Sequence, residues 1–169
     1  MELKTDRLYI RNMRATDWLE VQKIFIDFNH SEYVYYDSPL PVEDKEAEKL
    51  TKIFADSNLF FAVFEAGAAE MVGYVCFHDD NGKYDVGYCF HSAYHGKGYA
   101  FESVNALMKY FREEIGVKTF TAGTAIENVP SCKLLKKLGF ACVSVEPRTF
   151  HKDDAGNDIL FQGGNFVCE

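Results

Sequence analysis

A glycine-flanked turn between a strand-like segment and an amphipathic segment is the part of this sequence best suited to bind a ligand. Six consecutive residues form the turn and the start of the following helical pattern: His95, Gly96, Lys97, Gly98, Tyr99 and Ala100. Glycine lets the backbone approach a ligand closely, and the first turn of a helix presents unpaired N–H groups at the positive end of its dipole. The pattern predicts a cradle for an anion such as a pyrophosphate, with a plain strand-to-helix turn as the other interpretation.

Two common nucleotide-binding patterns do not fit this turn. A loop of the G-x-x-x-x-G-K-[ST] type requires a hydroxyl residue after the lysine, whereas Gly98 follows Lys97. The dinucleotide pattern G-x-G-x-x-G fails at its third glycine, where the chain has Phe101. These departures argue against a nucleoside triphosphate or NAD as the ligand.

Two motifs in the correct order give the turn a family context. Residues 95–100 resemble the Q/R-x-x-G-x-G/A motif of the GNAT superfamily of acyl-CoA-dependent N-acyltransferases, with His95 in place of the usual Gln or Arg. Residues 128–140 resemble the N-x-x-S/A-x-x-L-x-x-K-x-G-F element of the same superfamily. The opening segment Leu3–Leu8, together with Arg11, is similar to the start of the branch that acetylates protein N-terminal amines and related small amines.

The resemblance implies where the cosubstrate acetyl-CoA would lie. In GNAT proteins the backbone of the glycine turn, residues 95–100, holds the pyrophosphate, and the pantetheine arm pairs with one strand of the sheet. The equivalent strand residues here are Tyr88, Cys89, Phe90 and His91. Asn128 would bind the pantetheine, with Ser131 also beside the thioester. Asn128 could instead cap the helix that begins near Pro130, and the two roles are compatible.

Composition indicates one domain over residues 1–169, because the chain is 47% hydrophobic and 15% aromatic and contains no linker or repeat. No uncharged apolar run reaches about 18 residues, which predicts a cytoplasmic protein without a membrane segment. The net charge of −8 opposes nucleic-acid binding and suits a cationic acceptor. The five cysteines include no C-x-x-C pair, and the histidines lack ligand spacing, so no metal is expected.

Hydrophobic periodicity predicts a mixed α/β fold with the element order βααβββαβαββ. Asp17 and Glu20 predict a capping box on the first helix, and Pro41 the start of the second. A helix separates the strand over 84–90 from the strand over 119–125, so these fourth and fifth strands should be parallel. The resemblance implies the same order, with a mostly antiparallel central sheet splayed between these two strands and helices on both faces.

Direct transfer from a thioester requires a neutral amine, because an ammonium has no lone pair for attack. An amine with a pKa of about 10.4 is neutral about 0.04% of the time at pH 7, a cost of about 4.6 kcal/mol. An α-amine with a pKa near 7.8 costs only about 1.1 kcal/mol and needs little help from a base. The predicted reaction is attack of a primary amine on acetyl-CoA through a tetrahedral intermediate.

Candidates for proton transfer follow from the resemblance to the GNAT motif. Many GNAT members carry a tyrosine seven residues after the motif asparagine, as the acid that protonates the departing thiolate, and this chain has Leu135 there. Ser131 is the nearest hydroxyl candidate, with helix capping as the other interpretation. Asp85 and His151 are candidates for the base, although each could be a bystander or act through a water chain.

The loop after the first helix is the candidate acceptor-binding wall. It contains Tyr33, Tyr35 and Tyr36, whose rings offer a large contact area with a polar tip, and which could instead pack the loop onto the domain. A protein N-terminus, a polyamine, an amino acid and an aminoglycoside all remain open as acceptors.

Other functions compatible with the sequence are a noncatalytic acyl-CoA-binding or sensor module and a scaffold that shares only the fold. The missing tyrosine and the unassigned base suggest the sensor. The resemblance also makes a homodimer possible.

Overall fold

One eight-stranded sheet forms the centre of the fold in the computed structural model, which describes residues 1–169. The strands are β1 (Glu2–Lys4), β2 (Leu8–Asn12), β3 (Phe60–Glu65), β4 (Met71–Asp80), β5 (Lys83–Phe90), β6 (Thr119–Ala125), β7 (Ala141–Lys152) and β8 (Asp158–Cys168). The helices are α1 (Trp18–Asn29), α2 (Asp44–Ser57), α3 (Tyr99–Tyr110) and α4 (Val129–Lys137), and a π-helical turn (Phe111–Ile115) extends α3. None of these helices has the length and apolar character needed to span a bilayer.

Alternate side chains of β3 belong to two separate hydrophobic cores, one on each face of the sheet. Phe61 and Val63 belong to a core of 21 buried residues that includes the apolar side of α3. Phe60, Ala62 and Phe64 belong to a second core, of 10 buried residues, which includes the apolar side of α1. Successive side chains of a strand point to opposite faces, so both faces of this strand are covered. The predicted arrangement with helices on both faces is confirmed.

The predicted order of elements is also confirmed, with a short strand β1 added in front, where it pairs antiparallel with β2. The hairpin between β4 and β5 turns at Asn81 and Gly82, whose φ angles are +53° and +85°. The tight hairpin turn that Asn-Gly favours requires two positive φ angles in succession. Helix α2 begins at Asp44, three residues after the predicted Pro41.

The capping box predicted for α1 is absent, because both carboxylates have other partners. Asp17 forms a two-pronged ion pair with Arg11, with oxygen–nitrogen distances of 2.7 and 2.8 Å. Glu20 accepts a hydrogen bond from the backbone N–H of Met71, on the neighbouring strand. Asp17 also accepts a hydrogen bond from the backbone N–H of Arg14, so contacts other than the predicted box occupy both carboxylates.

Strands β5 and β6 form the one parallel pair, and they separate soon after they meet. Their register covers only Lys83 with Thr119, Tyr84 with Phe120, and Asp85 with Thr121. Beyond that point β5 remains paired with β4 as far as Phe90, and β6 remains paired with β8 as far as Ala125. The facing edges of residues 86–90 and 122–125 thus have no partner strand.

Truncation of Phe77 tests the larger core. This side chain is fully buried and stacks on Phe111, with ring centroids 4.2 Å apart. Phe77→Ala should lower the free energy of unfolding by about 3–5 kcal/mol, since a large cavity replaces the ring. The measurement is urea unfolding, with Val143→Ala as the control, because Val143 is 61% exposed and its truncation should change stability by less than about 0.5 kcal/mol. Equal losses in the two variants would contradict this packing.

Candidate active site

A cavity of about 650 Å³ opens where β5 and β6 diverge. Five parts of the chain line it: the loop after α1, strand β5, the glycine turn with the start of α3, strand β6, and the start of α4. The unpaired edges of β5 and β6 face this opening. Buried backbone amides without partners are costly, so the geometry suits a ligand that carries its own amide groups.

The glycine turn presents a row of free donors to the cavity. None of the backbone N–H groups of residues 96–101 donates a hydrogen bond within the protein; the first to do so is that of Glu102, to the carbonyl of Gly98. Gly96 and Gly98 have φ angles of +75° and +82°, which favour glycine. Six consecutive free donors at the start of a helix are a geometry that suits an anion, and the anion-binding role of this turn stays a prediction.

The conformation of this turn is held by contacts from a distant part of the chain. Arg7 donates a hydrogen bond of 2.9 Å to the carbonyl of Lys97, pairs with Glu102 at 2.6 Å and lies over the ring of Tyr99. The imidazole of His95 lies 2.8 Å from the carbonyl oxygen of Phe90, at the end of β5. These contacts fix the backbone of the turn before any ligand arrives.

The side chain of Lys97 points away from the cavity. Its ammonium lies 3.9 Å from Glu65 and 4.8 Å from the centroid of the Tyr94 ring, and the residue is not part of the cavity lining. The nearby cations in that lining are Lys133 and Lys137, on α4. The turn therefore contributes its backbone to the site, and helix α4 contributes the positive side chains.

The part of β5 predicted to bind the pantetheine lines the cavity through Tyr88, Cys89 and Phe90, whereas His91 does not. The ring nitrogen Nδ1 of His91 instead accepts a hydrogen bond from the backbone of Ala93. Burial raises the pKa of the Cys89 thiol to about 12, so this thiol stays protonated at neutral pH. The cavity thus contains no thiolate on β5 that could act as a nucleophile.

The start of α4 combines the two roles considered for Asn128. Its side-chain oxygen accepts a hydrogen bond of 3.2 Å from the backbone N–H of Ser131, which is an N-cap contact. Both Asn128 and Ser131 also line the cavity. Leu135, which occupies the position of the tyrosine in many family members, is 1% exposed and is absent from the lining.

A contact that the sequence did not suggest connects the sheet with this helix. The phenol oxygen of Tyr88 lies 2.8 Å from the hydroxyl oxygen of Ser131, and burial raises the pKa of Tyr88 to about 12. The strand pattern predicted a role only for the backbone of Tyr88. Its side-chain direction depends on how far apart the strands lie, which no local pattern encodes.

The loop after α1, which the sequence predicts to be the acceptor-binding wall, lines one side of the cavity. Tyr33 and Tyr36 line the cavity, while Tyr35 lies outside it, with its ring 5.5 Å from the ring of His151. Asp37 also lines the cavity, although no sequence pattern predicted it. Burial raises the pKa of the Asp37 carboxyl. The residue as a whole keeps solvent exposure, so the carboxyl is only partly desolvated.

The two candidate bases, Asp85 and His151, lie outside the lining of the cavity. The carboxylate of Asp85 accepts a hydrogen bond of 2.9 Å from the hydroxyl of Thr121, at the last pair of the parallel register. The imidazole of His151 lies 2.8 Å from the backbone oxygen of Asp37. In this structure Asp85 joins the two strands at the point of divergence, and His151 holds the acceptor loop.

Comparisons with known proteins agree with this geometry. Residues 7–141 match the acetyltransferase (GNAT) domain family. The chain is 30% identical over 143 residues to YnaD of Bacillus subtilis (strain 168), described as an uncharacterized N-acetyltransferase, and the match covers 82% of each chain. The chain therefore belongs to the GNAT acetyltransferase family, whose members are acetyl-CoA-dependent acyltransferases.

Solved structures share the same fold. An acetyltransferase (GNAT family) from Bacillus anthracis superimposes with a TM-score of 0.83 at 24% identity, covering 99% of this chain and 98% of that one. RimL, a ribosomal L7/L12 alpha-N-protein acetyltransferase in complex with coenzyme A, superimposes with a TM-score of 0.82 at 14% identity, covering 99% and 97%. At these identities the likeness extends to the fold alone.

Removal of the Arg7 side chain should weaken cofactor binding without touching the ligand. Arg7→Gln removes the ion pair with Glu102 and the bond to the carbonyl of Lys97, so the turn loses its support. We expect the Kd for CoA, measured by titration calorimetry, to rise roughly tenfold, or about 1.4 kcal/mol. Arg14→Gln is the control, because Arg14 is exposed and its nearest carboxylate is 3.9 Å away. An unchanged Kd in Arg7→Gln would show that the turn keeps its shape unaided.

Proposed function

We propose that this chain transfers an acetyl group from acetyl-CoA to a primary amine by direct attack through a tetrahedral intermediate. The observation that carries the proposal is the cavity at the divergence of β5 and β6, with six free backbone donors at one end. A long ligand with a diphosphate and an amide-bearing arm fits this combination. Family membership supports the same cosubstrate.

In this proposal the glycine turn and strand β5 bind different parts of the cofactor. The backbone of residues 95–100 binds the pyrophosphate, with Lys133 and Lys137 close enough to add positive charge. The arm lies along the free edge of residues 88–91 as a short extra strand. Asn128 and Ser131 then lie beside the thioester, at the start of α4.

The acceptor enters from the side of the tyrosine-containing loop. Tyr33 and Tyr36 supply aromatic surface there, and Asp37 supplies a negative charge, while Tyr35 supports the loop through its contact with His151. An α-amine is the favoured acceptor, since it is neutral often enough at pH 7 to react without a strong base. The likeness of the segment Leu3–Leu8 to the branch that acetylates protein N-termini supports this class.

Ser131 is proposed to protonate the departing thiolate, because it is the hydroxyl of α4 in the cavity lining beside Asn128. Asp85 and His151 remain predictions as proton acceptors. Their positions outside the lining mean that each could act only through an intervening chain of water. The chemistry of an α-amine makes a dedicated base unnecessary, so the proposal does not depend on either residue.

Thiol release tests the proposed function directly. The purified chain is incubated with acetyl-CoA and, separately, an alanine-terminated hexapeptide, spermidine, free amino acids and kanamycin, and mass spectrometry identifies the products. We expect acetylation of at least one amine, with the peptide fastest, because its α-amine is neutral most often. CoA binding without turnover across the whole panel would instead indicate a noncatalytic acyl-CoA-binding module. Absence of CoA binding would reject both functions.

Asp37→Asn tests the acceptor side of the cavity. Loss of the negative charge should lower kcat/KM for the amine about 10- to 100-fold, the range expected for a lost hydrogen bond to a charged group. The Kd for CoA should remain within about twofold, because the cofactor lies at the other end. Asp56→Asn is the matched control, since Asp56 pairs only with Lys52 on the exposed side of α2. Equal effects of the two substitutions would contradict a role for Asp37 in acceptor binding.

A further inference from the structure

The Tyr88 phenol and the Ser131 hydroxyl form a pair that the two family motifs do not predict. Tyr88 projects from β5 and Ser131 from the first turn of α4, and their oxygen atoms are 2.8 Å apart within the cavity lining. We propose that these two hydroxyls form a relay in which Ser131 protonates the departing thiolate and Tyr88 supplies the replacement proton to Ser131. This inference rests on the proposed acetyl transfer.

Ser131 on its own would be a poor acid for this step. An aliphatic hydroxyl holds its proton much more tightly than a thiol, whose ordinary pKa is about 8.5, so transfer from Ser131 alone leaves an alkoxide next to the product. A second hydroxyl that donates to the serine oxygen at the same moment lowers this cost, because the charge then passes to a phenol, where the proton from the amine neutralises it. Tyr88 is placed to do so, because either of the two oxygens can act as the donor in their hydrogen bond.

Burial keeps Tyr88 in the form that the relay requires. The phenol is enclosed, burial raises its pKa to about 12, and the hydrogen bond with Ser131 only partly offsets that effect. It therefore remains protonated at neutral pH. The backbone of Ser131 is held by Asn128, so the serine oxygen has a fixed place relative to β5. Leu135 is buried in the core and leaves no phenol on α4 to compete for this role.

The proposed step balances without a further reactant. The amine nitrogen forms a bond to the carbonyl carbon, and collapse of the intermediate breaks the carbon–sulfur bond with its electron pair on sulfur. The Ser131 proton moves to sulfur, and the Tyr88 proton moves to the serine oxygen. The proton lost by the acceptor nitrogen returns to the Tyr88 oxygen directly or through water. The products are an amide and a thiol, and both hydroxyls end in their initial state.

Four variants test the relay: Tyr88→Phe, Ser131→Ala, the double variant and the control Tyr84→Phe. Tyr84 lies on the same strand, packs against Phe111 and does not line the cavity. With acetyl-CoA and the amine that the wild-type chain acetylates fastest, Tyr88→Phe and Ser131→Ala should each lower kcat at least tenfold, within the scale of general acid catalysis. The KM for acetyl-CoA and the Kd for CoA should change less than about twofold, and Tyr84→Phe should match the wild type.

Coupling between the two residues distinguishes a relay from a structural contact. The double variant should be no slower than Ser131→Ala, because Tyr88 has no route to the sulfur without the serine oxygen. Ser131→Thr, which keeps a hydroxyl, should recover part of the rate only where Tyr88 is present. Additive losses, or a loss of CoA affinity that equals the loss of rate, would overturn the inference and indicate a packing role.

The inference and the proposed function fail in different ways. A wild-type chain that binds CoA but acetylates no amine of the panel overturns the proposed function, and the relay with it. An active wild type with unchanged kcat in Tyr88→Phe overturns the relay alone. If Tyr88→Phe does not fold, the comparison of Ser131→Ala with Ser131→Thr still decides, since equal rates for the alanine and threonine variants contradict a proton-donating hydroxyl.

Discussion

The early end of pairing between β5 and β6 is the constraint on which the site depends. A parallel pair normally continues until both strands end, yet here only three residue pairs form before the strands diverge. Each strand keeps its outer partner, so the separation leaves inner edges free without unravelling the sheet. The hydrogen bond from Thr121 to Asp85 closes the last pair and fixes where the opening begins. The cavity is thus produced by the sheet itself rather than by the loops above it.

Distant segments then supply the walls of this opening and hold them in place. Arg7, in the N-terminal segment, supports the glycine turn through its ion pair with Glu102 at the start of α3. It also donates a hydrogen bond to the carbonyl of Lys97, and this bond fixes the direction of the free N–H groups of the turn. The long strand β7 holds the opposite wall, because His151 contacts the backbone of Asp37. Both supports come from residues remote in sequence from the turn and loop that they position. Their energetic role is preorganisation, which lowers the entropy lost when a ligand binds.

The sequence predicted much of the fold, and it predicted the glycine turn and most of the β5 segment that line the cavity. Alternation, the Asn81-Gly82 turn and the glycine turn are local signals, and the structure follows them closely. The wall formed by the loop after α1 depends on tertiary distances, and there the sequence placed Tyr33 and Tyr36 correctly in the lining but not Tyr35. Asp37 was missed because nothing in its neighbours marks it as facing a cavity, and the Tyr88 side chain because its reach depends on the width of the opening. Asp17 resembled a helix cap and became the partner of Arg11 instead.

Opposite charge at the two ends of the cavity resolves a conflict in the proposed chemistry. The cofactor end has free N–H donors and the α4 lysines, which can hold a diphosphate even though the chain carries a net charge of −8. The proposed acceptor end has Asp37 in the cavity lining. This carboxylate attracts a cationic amine, yet attack requires the neutral form. In the proposed reaction the Asp37 carboxylate raises the pKa of a bound amine, whereas desolvation among the aromatic rings lowers it, so the carboxylate serves recruitment and the rings favour loss of the proton.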